Sequence, residues 1–170
     1  MPEGFRETVA GWGLWSYLVV LFLRDWDGSF QHPSRYAENA LATFNTHDLP
    51  TYYGWLTGHD LKVKRGAGVE PGESDEEREN ARRAWAAAIG EQPVENFEAA
   101  AAFLAATPTR LVSIGIEDVM EVKEQTNLPG TVDQHPNWRR RLPVSIEDLA
   151  GDQRLLRIAD VFRRAGRSGN

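Results

Sequence analysis

Three short apolar runs of β-forming residues are the feature that most limits what this chain can fold into. They are residues 17–22 (YLVVLF), 40–45 (ALATFN) and 110–116 (RLVSIGI), and acidic residues follow within three positions of the end of each. A run without polar alternation is typical of a strand buried on both faces, as in a parallel sheet covered by helices. We therefore expect three buried strands whose carboxyl ends carry polar groups.

Helical signals separate and follow these runs. Ser74 and Glu77 have the spacing of a capping box, and Gly90 is placed to end the helix that the box begins. An alanine-rich stretch at 99–106 predicts a second helix, and Asp152 can cap a third that runs to residue 164. The order strand, strand, two helices, strand, helix is an α/β pattern, in which functional groups gather at the carboxyl ends of strands.

Composition and charge exclude several classes of function. The 170 residues carry a formal net charge of -6 and contain no cysteine, so disulfides and thiolate chemistry are impossible. An acidic chain also lacks the electrostatic footprint for binding nucleic acid or an anionic membrane. The apolar stretch at 12–23 is too short to span a bilayer. We expect a cytoplasmic protein, with no membrane segment and no nucleic acid partner.

The sequence also lacks the motifs of metal and phosphate sites. Its four histidines do not fall at helical i, i+4 spacing, no HExxH or GxSxG is present, and Gly66-Ala67-Gly68 lacks the residues of a P-loop. We expect no metal and no cofactor. The histidines are His32, His47, His59 and His135.

The segment THDLPT at 46–51 places an imidazole and a carboxylate, His47 and Asp48, just after the second run. Burying either group without hydrogen-bonding or charged partners costs free energy. One interpretation is therefore a polar site at the carboxyl end of the strand. The alternative is that Asp48 caps the following turn and His47 is a hydrogen-bonded core residue.

Aromatic residues surround this dipeptide in the sequence. Tyr52, Tyr53 and Trp55 follow it, and Trp26 follows the first run. Flat apolar rings next to hydrogen-bonding groups suit sugars, which present both C–H faces and hydroxyls. Core packing is the alternative, because aromatic residues dominate cores as well.

A second polar cluster lies at 127–141. Pro129-Gly130 favours a tight turn that would aim Asn127, whose amide both donates and accepts, in a fixed direction. A plain surface turn is the alternative. The arginines at 139–141 could form a phosphate patch, but in an acidic chain they are more often ion-paired or solvated.

Two long stretches, ALATFNTHDLPTYYGW at 40–55 and NLPGTVDQHPNWRRRL at 127–142, resemble the carboxyl-terminal third of bacterial 4-alpha-glucanotransferases, the amylomaltase family. The shorter segments EGFRE at 3–7, WSY at 15–17 and DL at 60–61 fall in the same order. The resemblance covers nearly the whole chain. It implies a (β/α)8 barrel of the TIM type and an enzyme that transfers α-1,4-glucan segments between maltodextrins with retention of configuration.

The resemblance also implies roles for single residues. Asp48 matches a carboxylate that stabilises the transition state, and His47 matches a histidine that hydrogen-bonds the same sugar. An anion near an oxocarbenium-like centre is physically suited to that role. Asn127 resembles a contact to the acceptor sugar, while Phe22 and Asp25 resemble positions that line the cleft.

The chain departs from the family in what it lacks. The nucleophile and the acid/base would lie upstream, and a retaining site needs two carboxyl groups about 5 Å apart. A closed eight-stranded barrel needs about 200 to 250 residues, so residues 1–170 are expected to form one part of an incomplete barrel, with an exposed acidic connection at about 66–74. Family members usually have Val-Pro where this chain has Met1-Pro2, and a GTG codon read as a start would explain the change. We therefore expect an interrupted or mis-started gene.

Three functions remain open at this stage. The chain is part of a glucanotransferase that acts only with the missing amino-terminal portion of the enzyme, or a glucan-binding module without catalysis, or a residual fragment without function of its own. The third predicts aggregation or rapid amide exchange, because a sheet edge is uncovered. Sharp cooperative melting would exclude it.

Overall fold

The computed structural model of the chain describes residues 4–90 and 93–167, so Met1 and Pro2 lie outside it. It contains three strands and eight helices within these ranges. In chain order they are α1 Phe5–Gly11, β1 Ser16–Val19, β2 Ala40–Thr43, α2 Tyr52–Thr57, α3 His59–Gly66, α4 Asp75–Ile89, α5 Phe97–Ala105, β3 Leu111–Ser113, α6 Ile116–Val119, α7 Ile146–Leu149 and α8 Gln153–Arg164.

The strands form one parallel sheet in the order β1-β2-β3. The predicted α/β fold with three parallel strands is therefore confirmed. Each strand is shorter than its apolar run: β1 ends at Val19, because residues 20–22 turn into a single 3-10 turn in which Leu23 N–H donates to Val20 O at 3.0 Å.

The expectation that all three strands are buried on both faces is wrong. One face packs on the helices, and Leu18, Ala40 and Ala42 are buried there. The other face carries a row in which Tyr17 pairs with Leu41 and Leu41 with Leu111. Tyr17 and Leu111 in that row are 59% and 49% exposed, so this face is only partly covered in the described ranges.

The predicted helix boundaries match the structure closely. Ser74 accepts from Glu77 N–H, Glu77 accepts from Ser74 N–H, and α4 ends before Gly90, which has a positive φ of 65°. Asp152 caps α8 by accepting from Arg154 N–H at 2.9 Å. The connection between α3 and α4 occupies 67–74 and is exposed or half-buried throughout. No described helix is long and apolar enough to cross a membrane.

The core is a cluster of aromatic rings between the sheet and the helices. Phe44 lies edge-on to Tyr52 at 5.0 Å and to Trp85 at 5.4 Å between ring centroids. The buried Tyr52 hydroxyl accepts from Trp85 Nε1 at 3.1 Å and donates to Val94 O. Tyr52 and Trp55 are 0% and 3% exposed. Of the two alternatives for these aromatic residues, sugar contact and core packing, the structure therefore supports core packing for Tyr52 and Trp55.

A buried ion pair joins α3 to α4. Arg78 donates to both carboxylate oxygens of Asp60, at 2.7 and 2.8 Å, and to Trp55 O at 2.7 Å. It also pairs with Glu73. The side chains of Asp60 and Arg78 are 1% and 2% exposed, so this contact is part of the core.

Candidate functional site

The segment that follows β2, residues 45–52, is a tight turn closed by hydrogen bonds within the segment. Asn45 Nδ2 donates to Pro50 O at 2.9 Å, and Leu49 N–H donates to Thr46 O at 3.0 Å. Thr51 then caps α2 by accepting from Gly54 N–H at 3.0 Å. The turn leaves the two residues at its tip, His47 and Asp48, pointing out from the sheet.

This geometry rules out the alternative interpretation, in which Asp48 is a capping residue and His47 a core residue. The helix that follows is capped by Thr51 and not by Asp48. The side chains of His47 and Asp48 are 58% and 47% exposed, so His47 is not a core residue. Both groups are accessible at the carboxyl edge of the sheet.

The carboxylate of Asp48 is held by two partners. Asn127 Nδ2 donates to Oδ1 at 2.6 Å, and His47 Nε2 lies 3.3 Å from Oδ2. The main chains are joined as well: Asn127 N–H donates to His47 O at 3.2 Å, and Gln125 Nε2 donates to Asp48 O at 2.8 Å. Three of the residues singled out in the sequence, Asp48, His47 and Asn127, therefore meet, and we refer to them as the Asp48 cluster.

The loop that supplies Asn127, residues 125–138, is built by a second asparagine. Asn137 Oδ1 accepts from Leu128 N–H at 2.8 Å, and its Nδ2 donates to Thr131 Oγ1 at 2.9 Å. These bonds bring the two ends of the loop together, so that Trp138 N–H donates to Thr126 O at 3.0 Å.

Trp138 is the strained residue of this loop. Its φ is +60°, a backbone conformation that is rare for bulky residues, and its ring lies 5.2 Å from that of His47 at 44°. It is nevertheless 63% exposed. Sequence reasoning placed this tryptophan in a polar cluster but not in the site, because nothing local indicates a positive φ at a tryptophan.

A cleft of about 250 Å3 opens beside the Asp48 cluster. His47 forms part of its wall, whereas Asp48 does not. Tyr17 and Trp138 bring two exposed aromatic rings to it, together with many polar groups. Its lining is Tyr17, Thr43, Asn45, Thr46, His47, Leu49, Thr51, Ser113, Ile114, Gly115, Glu117, Asp118, Thr126 and Trp138.

Two carboxylates of the cleft come from α6, which follows β3. Asp118 is 1% exposed, and it accepts from Tyr52 N–H at 2.6 Å and from Asn45 Nδ2 at 3.0 Å. Burial raises its pKa to about 7, against the effect of these two hydrogen bonds. Glu117 accepts from Thr126 Oγ1 at 3.1 Å. The only sequence signal for this pair was the acidic end of the third apolar run.

Phe22 and Asp25 are not brought to the Asp48 cluster. Phe22 is 67% exposed after β1, and both oxygens of Asp25 accept from Arg35 Nη1 at 2.7 Å. Within residues 4–90 and 93–167, neither residue lines the cleft or bonds to the cluster. Trp26, close by in the sequence, is 98% exposed. Roles for Phe22 and Asp25 remain predictions.

The remaining candidates from the sequence carry no site in the described part of the chain. Arg139, Arg140 and Arg141 are exposed and make no ion pair with a described residue. Of the alternatives for these arginines, the structure therefore supports solvation. Nor do three or more metal-ligating side chains come together anywhere in the described ranges.

The fold and the site together define an α/β protein with a polar cluster at the carboxyl edge of a parallel sheet, next to an aromatic-lined cleft. A sequence profile of 4-alpha-glucanotransferases matches residues 1–146. The chain belongs to the 4-alpha-glucanotransferase family.

Individual relatives support this family assignment, and their alignments show what share of each relative this chain covers. The 4-alpha-glucanotransferase of Mycobacterium tuberculosis (H37Rv) is 31% identical over 177 residues, which cover 90% of this chain but 24% of the relative. The enzyme of Haemophilus influenzae is 25% identical, with 91% of this chain and 25% of the relative covered. The chain thus spans about a quarter of the length of these curated relatives.

Solved structures of amylomaltases have a similar fold over most of this chain. The amylomaltase of Corynebacterium glutamicum superposes with a TM-score of 0.81 at 23% identity, over 95% of this chain and 27% of the other. An amylomaltase of Streptococcus agalactiae, solved in complex with acarbose, gives 0.68 at 21% identity, over 99% and 30%. At these identities the likeness shows the fold alone, here a part of a larger α/β fold.

Proposed function

We propose that this chain is one part of a cytoplasmic 4-alpha-glucanotransferase that transfers α-1,4-glucan segments between maltodextrins with retention of configuration. Asp48 stabilises the transition state, His47 hydrogen-bonds the same sugar, and Asn127 contacts the acceptor. The nucleophile and the acid/base come from the preceding part of the enzyme, so the chain alone is inactive. The observation that carries this proposal is the Asp48 cluster, whose carboxylate accepts from Asn127 Nδ2, lies 3.3 Å from His47 Nε2 and is still half exposed.

The chemistry of the cluster supports the role of Asp48. Glucan transfer passes through an oxocarbenium-like centre, which a nearby fixed anion stabilises. Asn127 Nδ2 donates to the carboxylate at 2.6 Å and His47 Nε2 lies 3.3 Å from it, and about half of its side-chain surface remains open to a ligand. A carboxylate whose hydrogen-bonding capacity is fully used within the protein would stabilise a developing positive charge less.

The cleft supports the choice of a sugar ligand. Tyr17 and Trp138 present exposed rings next to His47 and the hydroxyls of Thr46 and Thr126. Aromatic rings pack on the C–H face of a sugar, while hydroxyl, amide and carboxylate groups bond its hydroxyls. We assign Trp138 and Tyr17 to sugar stacking and the polar lining to hydroxyl recognition.

The open sheet supports the need for a further portion of the enzyme. β1 and β3 are the outer strands of the described sheet, and the row of Tyr17, Leu41 and Leu111 is partly exposed on its uncovered face. Free strand edges and an apolar row are what additional barrel strands would pair with and cover.

A chimera tests the proposal. The quarter of the M. tuberculosis relative that this chain matches is replaced by this chain, and glucose release from maltotriose is measured together with the longer products. We expect disproportionation by the chimera and at least a hundredfold lower kcat in its Asp48→Asn variant, the size of effect seen when one transition-state contact is removed. Asp133→Asn, an exposed charge in the Asn127 loop, is the control and keeps full activity. Equal activity of Asp48→Asn and Asp133→Asn would refute the role of Asp48.

A second candidate is glucan binding without catalysis, which is favoured by a cleft formed within this chain alone. Calorimetry of the isolated chain with maltoheptaose or acarbose tests it. Saturable binding that is lost in Asp48→Ala and kept in Asp133→Ala supports a binding module. Absence of binding by a chain that melts cooperatively excludes it.

A further inference from the structure

The Asp48 cluster is assembled from two separate segments, and neither is held in place by its own strand alone. The 45–52 segment supplies His47 and Asp48, and the 125–138 loop supplies Asn127. The bond between Asp48 and Asn127 spans 79 positions of the sequence. Something must keep the two segments at a fixed separation, because a hydrogen bond of 2.6 Å tolerates little displacement.

Helix α6 contacts both segments through consecutive carboxylates. Asp118 accepts from Asn45 Nδ2 and from Tyr52 N–H, so it holds the first and last residues of the 45–52 segment. Glu117 accepts from Thr126 Oγ1. Thr126 directly precedes Asn127, and its carbonyl accepts from Trp138 N–H. We propose that Asp118 and Glu117 are positioning residues that fix the two halves of the Asp48 cluster relative to each other.

The base of α6 is suited to this task. Val119 and Met120, the next two residues, are 4% and 2% exposed in the core, and Met120 O accepts from Arg154 of α8. The carboxylates therefore project from a short helix that is anchored in packed structure. A movement of α6 would displace both segments together.

Two details show that Asp118 has little freedom. Asn45 Nδ2 has two hydrogens, and it uses them on the Asp118 carboxylate and on Pro50 O, so that the turn and its anchor share one amide. A Cβ at Gly115 would lie 3.1 Å from Asp118 Oδ2, tighter than an ordinary contact. Glycine at that position leaves room for the carboxylate.

The chemistry predicts which substitutions fail. Both groups that face Asp118 are N–H donors, so the ionised carboxylate, the main form above its pKa of about 7, serves both, whereas an amide serves only one. In Asp118→Asn the new NH2 group faces either Tyr52 N–H or Asn45 Nδ2, and the 45–52 segment loosens. In Glu117→Gln the amide oxygen still accepts from Thr126, so the effect is smaller.

Hydrogen exchange of single amides in the full 170-residue chain tests the inference. The reporters are the N–H of Asn127, bonded to His47 O, and of Trp138, bonded to Thr126 O; neither touches Asp118 directly. We expect Asp118→Asn to raise the exchange rate of the Asn127 amide at least tenfold relative to the amides of β2, and Glu117→Gln to raise that of Trp138 about threefold. Asp60→Asn is the control: it removes another buried carboxylate and lowers global stability, which accelerates the amides of β2 at least as much as that of Asn127, so it does not raise the ratio.

A milder variant keeps the test decisive if Asp118→Asn does not fold. Gly115→Ala crowds Asp118 Oδ2 without removing a bond, and we expect it to raise the same ratio by about threefold. An unchanged ratio in the folded variants, Gly115→Ala included, would overturn the inference.

The functional consequence rests on the proposed transferase activity. In the chimera we expect Gly115→Ala to lower kcat about tenfold with less than a twofold change in KM, since positioning affects the reacting centre more than binding of the remaining glucan. A rise in KM alone would contradict the positioning role. Failure of the unsubstituted chimera to release glucose would count against the proposed function, while the exchange ratios would still decide whether α6 positions the cluster.

Discussion

The buried ion pair between α3 and α4 allows one effect on stability to be worked out closely. In Asp60→Ala, Arg78 loses two hydrogen bonds of 2.7 and 2.8 Å to a carboxylate that is 1% exposed. Removing one partner of a buried pair costs about 3 to 5 kcal/mol, because the other charge stays buried without compensation. Arg78 keeps Trp55 O and the partly exposed Glu73, which places the expected loss at about 3 kcal/mol.

Urea unfolding of the chain measures this loss against a matched surface pair. Glu38 pairs with Arg110 at 3.0 Å, but their side chains are 66% and 55% exposed, so Glu38→Ala should cost no more than about 0.5 kcal/mol. Because the cost arises from a stranded charge, Asp60→Leu combined with Arg78→Met should recover most of the stability that Asp60→Ala loses. A loss below about 1 kcal/mol in Asp60→Ala, or no recovery in the double variant, would refute this reasoning.

Three further predictions concern the cleft, the buried carboxylate and the helix cap. Trp138→Ala should weaken maltoheptaose binding by the isolated chain about tenfold in calorimetry, the loss of one aromatic contact worth about 1 kcal/mol or slightly more; unchanged affinity would contradict its assignment to sugar stacking. The pKa of Asp118, raised to about 7 by burial, means that the stability linked to its protonated form is complete below about pH 4 and lost as the pH rises through 7. The unfolding free energy of the wild type minus that of Asp118→Asn should therefore fall by about 3 kcal/mol between pH 4 and 7, and a flat difference would contradict the raised pKa. Ser74→Ala should lower the unfolding free energy by about 1 kcal/mol with an unchanged urea m-value, because it removes the cap that accepts from Glu77 N–H.

Local signals in the sequence predicted the elements of the fold well. The capping box at Ser74 and Glu77 and the cap at Asp152 depend on side chains within three residues of the bond they make, so spacing alone is sufficient. The strand ends were less predictable. Val20 belongs to an apolar run yet begins a 3-10 turn, with which the chain turns towards the polar residues at 24–28. Apolar composition alone does not distinguish a strand from the turn that ends it.

The site was predictable in its location but not in its construction. Parallel strands bring their carboxyl ends to one edge, which is why the acidic end of the second apolar run indicated Asp48 correctly as a member of a polar cluster. The contact with Asn127 follows from the long loop closed by Asn137, and the contact of Trp138 with His47 requires a positive φ. Neither has a local signature, because both depend on how two distant segments pack.

Exposure separates carboxylates that the sequence presents as equivalent. Asp60 and Asp118 lie in the first turn of a helix, and Asp48 lies between β2 and α2. The first two are 3% and 1% exposed, and their hydrogen bonds tie protein groups to each other. The Asp48 side chain is 47% exposed, and the hydrogen bond from Asn127 Nδ2 orients it while leaving it open to a ligand. A buried, satisfied carboxylate fixes geometry, as at Asp60 and Asp118, whereas an oriented and accessible one can meet a positive charge that develops outside the protein. This difference in exposure is the physical basis of the role that we propose for Asp48.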